Sequence, residues 1–150
     1  MNHSEKAMEL FMEGYNCAQA VLLAFSDVTG LEDAQAAKLI SSFGGGFGGL
    51  REVCGAVSGM VTVAGILYGY NDPADHEAKK AHYALVQRLA EAFRQEAGSI
   101  ICRDILKNIE TSPVPSIRNA EYYAKRPCAR MVYLAAKILH DYIAEHPVTK

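Results

Sequence analysis

Val53-Cys54-Gly55-Ala56-Val57-Ser58-Gly59-Met60-Val61-Thr62-Val63-Ala64-Gly65-Ile66-Leu67-Tyr68-Gly69-Tyr70 runs for 18 residues without a charged side chain. Whether it spans a membrane or fills a core decides the fold, because its length is about the minimum for a membrane helix. It holds Gly55, Gly59, Gly65 and Gly69 together with Ser58 and Thr62, and it is the only apolar run of this length in the chain. Arg51 and Glu52 on one side and Asn71 and Asp72 on the other carry no positive bias that would orient a membrane span. The stretch therefore reads as a helix buried by its neighbours, and no membrane partner is expected. Its two Gly-x-x-x-Gly pairs, Gly55/Gly59 and Gly65/Gly69, would let a second backbone approach closely.

The flanking sequence reads as further helices. Glu5–Glu13 has the spacing of a short amphipathic helix stopped at Gly14, and Asn16 caps a helix over Cys17–Val28 that ends at Gly30. Asp33–Ser42 is short and alanine-rich, and it runs into the glycine loop Phe43-Gly44-Gly45-Gly46-Phe47-Gly48-Gly49. After Asp72-Pro73 a long helix is predicted over Ala74–Ala97, ended by Gly98, and Ser99 caps another over Ile100–Ile109. Thr111–Ser116 is a loop, and Pro127 opens a last amphipathic helix that reaches Tyr142. With no period-two strand and no repeat, the fold class is all-α: a single domain, 1–150, of about six or seven helices around the glycine-rich central one.

A chain of 150 residues buries roughly 70% of its unfolded surface, so it needs no staples. Its 17 acidic and 15 basic side chains give a net charge of −2, which excludes a nucleic-acid partner held by bulk charge. Four cysteines are far too few for a secreted disulfide scaffold, and Met1–Lys6 lacks a basic segment leading into an apolar one. A reducing, cytoplasmic setting is expected, in which cysteines are thiols or metal ligands.

Cys17, Cys54, Cys102 and Cys128 are 37, 48 and 26 residues apart, so any shared site must be assembled by folding. Each falls in a predicted first helical turn, where free amides and the positive helix end favour a thiolate. Arg51, Arg103, Lys125, Arg126 and Arg130 lie within three residues of one or another of them. The plain alternative is that the four are small buried hydrophobes.

Other signals point nowhere. Gly44-x-Gly46-x-x-Gly49 fits the dinucleotide pattern, but helix-like residues precede it where a strand is required. Ser58 lacks the glycines of a nucleophile elbow, since Ala56 and Met60 stand in their places. His3, His76, His82, His140 and His146 show no i,i+4 pair and no Cys-x-x-Cys-His, and His76 and His82 are expected on the wet face of the long helix. The eight tyrosines read as packing residues.

Tyr15-Asn16-Cys17-Ala18-Gln19-Ala20-Val21, the glycine run followed by Cys54-Gly55-Ala56-Val57-Ser58-Gly59, Cys102 in Ile101-Cys102-Arg103-Asp104 and Cys128 in Arg126-Pro127-Cys128-Ala129 together resemble the small redox-active proteins known by the pattern C_GCAxxG_C_C. Aligned on Ala56-x-x-Gly59, the Gly-Cys order of that pattern stands here as Cys54-Gly55. The resemblance implies redox chemistry, and a similar domain is joined to haem-binding segments in split-Soret cytochromes, where an iron–sulfur centre is expected.

The leading expectation is an iron–sulfur cluster on Cys17, Cys54, Cys102 and Cys128 in an electron carrier, with Gly46, Gly49 and Gly55 as further cofactor-binding residues and helix-start amides offsetting the cluster's negative charge. A structural four-cysteine zinc site and a dithiol/disulfide switch are the alternatives. Partners would be an unidentified redox protein and, through the glycine-faced helix, a second copy forming a homodimer. The competing class is a non-catalytic helical interaction module with cysteines as filler. Whether the chain is an enzyme stays open.

Overall fold

In the computed structural model, which describes residues 1–148, Asn2 opens α1 (His3–Met12) by accepting a hydrogen bond from the Glu5 amide. α1 buries Ala7 and Phe11 against α2 (Cys17–Ala24) and α10 (Cys128–Glu145). A capping box starts α2: the Asn16 side chain accepts from the Gln19 amide, and the Gln19 side chain accepts from the Asn16 amide. Six of its eight residues are buried, so it is enclosed on all sides, touching α1, α4 (Asp33–Ile40), α6 (Gly55–Tyr68) and α10.

The helix predicted over Cys17–Val28 breaks at Phe25 into α2 and α3 (Ser26–Thr29). Ser26 explains the break, because its hydroxyl donates to the Leu23 carbonyl while lying 2.9 Å from Asp33 Oδ1, tying the turn to the next helix. α4 is capped by Glu32, and a 3-10 turn (Ser41–Phe43) carries it into the glycine run.

α6 is the apolar stretch itself. At 14 residues it spans roughly 21 Å, and no helix among the described residues is long and apolar enough to cross a membrane. Its glycines serve packing within the chain. A Cβ on Gly59 would lie 2.8 Å from both the Ala18 carbonyl and Val21 Cβ, and one on Gly55 3.1 Å from Cys17 Cβ, so this face belongs to α2. The second pair does not form a seam, since the nearest neighbour of a Gly65 Cβ is His82 Nε2 at 4.0 Å and Gly69 merely caps the helix.

α7 (His76–Ala97) is capped by Asp75, ended by left-handed Gly98, and buries only Leu85, Leu89 and Phe93 against α6 and α10. His76 is exposed as expected, whereas His82 is half-buried beside Tyr70 with its Nδ1 enclosed and unpartnered. α10 buries Val132, Ala135, Ala136 and Leu139 at i, i+3, i+4 and i+7.

The helix predicted over Ile100–Ile109 is only α8 (Cys102–Ile105). Ile101 is extended and forms an antiparallel bridge with Val53, while the Ser99 hydroxyl accepts from the Ile101 amide, so the chain pairs across before it can coil. α9 (Ala120–Lys125) is too short to carry a periodicity signal, and its mark in the sequence is the Asn119 cap. Among the described residues six helices have eight or more residues, and with α8, α9 and the short turns they make the all-α domain expected.

Candidate functional site

Every cysteine stands at a helix start. Cys17, Cys102 and Cys128 are the first residues of α2, α8 and α10, and Cys54 is the N-cap of α6. Two connections bring these ends together. The Val53–Ile101 bridge places Cys54 and Cys102 side by side, reinforced by the Cys54 amide on the Ile100 carbonyl at 2.7 Å and the Cys102 amide on the Glu52 carbonyl at 2.6 Å. Packing of α2 against α10 places Cys17 beside Cys128.

The glycine run holds the first connection in place and is folded rather than loose. A hydrogen-bonded turn over Gly44–Phe47, labelled α5, contains left-handed Gly45 and Gly46, whose carbonyls accept the amides of Arg51 at 3.1 Å and Glu52 at 2.8 Å. A Cβ on Gly46 would sit 2.7 Å from Cys102 Cβ and 2.8 Å from the Arg51 Cα, so only glycine fits between the loop and α8.

All four cysteines line one small cavity of about 50 Å³, with Gly46 and Gly55 in its wall. Gly49 does not reach it; a Cβ there would meet the Pro113 carbonyl at 2.7 Å across a neighbouring cleft. Cys54 and Cys102 are buried, Cys17 and Cys128 half-buried, and none is bonded to another.

Three arginines surround this cavity: Arg51, Arg118 and Arg126. Arg51 Nη1 lies 3.9 Å from Cys102 Sγ, and its Nη2 donates to the Ser112 carbonyl at 2.9 Å. Arg118 is held by the carbonyls of Phe11 and Tyr15 at 2.9 and 2.6 Å and by the hydroxyls of Tyr122 and Tyr123. Its guanidinium stacks 4.1 Å from the Phe11 ring centre, and Tyr122 lies between it and the Arg126 guanidinium, at 4.9 and 4.7 Å. Arg118 and Tyr122 carried no signal in the sequence, since neither is near a cysteine in the chain. Of the cations that are near one, Arg103 pairs with Glu52 and Lys125 with Glu121 at the surface.

These surroundings set the thiols apart. Cys128 is lowered to about 7, first by the neighbouring Cys17 thiol and then, against burial, by Arg126, Arg118 and Arg51. Cys17 is pushed well up by Cys128 and by burial, so of the adjacent pair Cys128 is the thiol that ionises first. Burial drives Cys54 up to about 12, against the amides of Ala56 and Val57 that face its sulfur. Burial also raises Cys102, partly opposed by Arg51.

Four thiols on one cavity match the donor chemistry of an iron–sulfur cluster or a zinc site. Their spacing does not. No group of three or more His, Cys, Asp or Glu side chains among the described residues is arranged to hold a metal ion. What the fold does place close enough to influence one another is a pair, Cys17 and Cys128, with Cys17 pushed up and Cys128 lowered. The histidines add nothing here: His3 lies 2.6 Å from His140 and 2.9 Å from Asp27, a cluster that joins α1, α3 and α10.

An all-α domain whose helix starts carry cysteines into an arginine-lined cavity is a small multi-thiol protein. Residues 15–142 match the family described as "Putative redox-active protein (C_GCAxxG_C_C)", and the chain belongs to that family. No curated protein and no solved structure matches the chain.

Proposed function

We propose that this protein is a dithiol/disulfide redox protein in which Cys128 is the attacking thiolate and Cys17 the resolving thiol. The observation that carries the reading is their adjacency with opposed protonation: Cys128 lowered to about 7 and Cys17 raised. An attacking thiol works best with a pKa near ambient pH, where thiolate is plentiful and still nucleophilic. Cys54 and Cys102, buried and raised, act as apolar walls under the pair.

The step balances as thiol–disulfide exchange. The Cys128 sulfur attacks one sulfur of a disulfide substrate, forming a mixed disulfide and expelling the other half as a thiolate. Cys17 then loses its proton to solvent and attacks Cys128, forming the Cys17–Cys128 bond and releasing the second half. Two protein thiols are oxidised and one substrate disulfide is reduced. Arg126, Arg118 and Arg51 stabilise each anionic sulfur as it forms.

An iron–sulfur centre on Cys17, Cys54, Cys102 and Cys128 is the second reading, supported by the cavity that all four share. It requires the four helix starts to close together further. Anaerobically prepared protein separates the two: dithiol chemistry predicts a colourless chain without stoichiometric iron or sulfide that loses two thiols to excess small disulfide. Brown protein with iron and acid-labile sulfide, its colour lost on Cys54→Ser or Cys102→Ser, would overturn the dithiol reading.

A further inference from the structure

A second, larger cleft of about 420 Å³ opens beside the cysteine cavity, and Arg51, Arg118, Tyr122 and Arg126 line both. Its walls include four glycines of the run before Arg51 and contain no aspartate or glutamate. None of the three arginines has a carboxylate partner among the described residues, although the chain as a whole is slightly acidic. Three guanidinium groups with no carboxylate partner around one cleft make a favourable field for an anion, and the fork of a guanidinium matches a carboxylate in two hydrogen bonds.

Arg51 adds two independent signs. Its backbone is left-handed, φ 62°, a conformation that side chains bearing a Cβ rarely adopt and that is retained where the surroundings hold a residue in place for use. Its Nε is enclosed without a hydrogen-bond partner, in a residue that lines both cavities.

We infer that this cleft binds a small disulfide bearing a carboxylate, seating the anionic arm against Arg126 at the edge the cleft shares with the cysteine cavity, so that the S–S bond reaches Cys128 in that cavity. The inference rests on the dithiol reading and names its substrate class. The same arginines receive the carboxylate-bearing thiolate that leaves when Cys128 attacks, and the glycine wall lets the substrate lie close to the backbone. Electrons and atoms follow the exchange above: the two substrate halves depart as thiols and the pair closes as a disulfide.

The test uses the reduced full chain and three small disulfides of similar size: 3,3′-dithiodipropionate, 2-hydroxyethyl disulfide and cystamine, carrying two negative, no and two positive charges. At low salt the dianion is expected to oxidise the pair at least tenfold faster than the neutral compound, with cystamine slowest. Arg126→Gln should erase most of that preference and Arg126→Lys retain part of it. Equal rates for the three, or a faster cystamine, would overturn the inference. A Cys17→Ser/Cys128→Ser variant titrated with dithiodipropionate by calorimetry separates the two readings. Binding there, lost with Arg126→Gln, supports the cleft even if wild-type thiols ignore every disulfide, a result that would end the dithiol reading. No binding there, with all three disulfides reduced alike, leaves the redox pair and removes the anion site.

Discussion

Cys17 and Cys128 begin helices from opposite ends of the chain, α2 and α10, and the packing of those helices makes their thiols neighbours with opposed affinities for a proton. A cysteine at a first helical position meets unpaired amides and the positive end of the helix. Here two such ends meet, and the Cys17 thiol first, then Arg126, Arg118 and Arg51, hold the Cys128 thiol low.

The pH dependence of alkylation follows. Raising pH removes the Cys128 proton, so its rate with iodoacetamide should rise with pH and level off above a midpoint near 7, the value set by Cys17 and the arginines. Cys54, held up at about 12, should stay unlabelled in native protein at pH 8. Peptide-resolved mass spectrometry reads both. Cys17→Ser should move the Cys128 midpoint upward if the hydroxyl supports the thiolate less well than the thiol does; an unchanged midpoint would place the cause in the arginines alone.

Arg118 and Arg126 should separate structure from electrostatics. Arg118 ties the loop before α9 to the carbonyls of Phe11 and Tyr15, so Arg118→Gln is expected to cost about 2 kcal/mol or more in denaturant unfolding. Arg126 makes one long hydrogen bond, 3.4 Å to the Ser116 hydroxyl, and stacks on Tyr122, so Arg126→Gln should cost no more than about 1 kcal/mol. Both should raise the Cys128 alkylation midpoint.

Two glycines of α6 should respond with opposite signs. Gly59→Ala forces a methyl to within 2.8 Å of the α2 backbone, and overpacking of about 1–3 kcal/mol outweighs a helix-propensity gain of about 1 kcal/mol. Gly65→Ala meets nothing nearer than 4.0 Å and should stabilise by up to about 1 kcal/mol. Thermal unfolding of the two variants checks this.

Local signals made the helix starts legible. Asn16 before Cys17, the glycine run before Cys54 and Pro127 before Cys128 each mark a start by the chemistry of a few neighbouring residues, and the structure places all four cysteines at such positions. Long-range pairing was not legible. The Val53–Ile101 bridge shortens the helix at Cys102, and nothing in either segment announces it. Arg118 sits in a loop without periodicity, ten residues before Cys128, and becomes part of the site only because Phe11 and Tyr15 hold it there. Spacing in three dimensions is likewise absent from a count of cysteines, and the fold that brings all four to one cavity buries Cys54 and Cys102 while leaving Cys17 and Cys128 half-buried.

Disulfide mapping after oxidation addresses the pair itself. Reduced protein treated with one equivalent of dithiodipropionate, quenched with acid and digested, should yield a single cross-linked species joining the Cys17 and Cys128 peptides, with Cys54 and Cys102 recovered as free thiols. A dominant bond that includes Cys54 or Cys102, or a Cys128→Ser variant that oxidises at the wild-type rate, would contradict the assignment of Cys17 and Cys128 as the reacting pair.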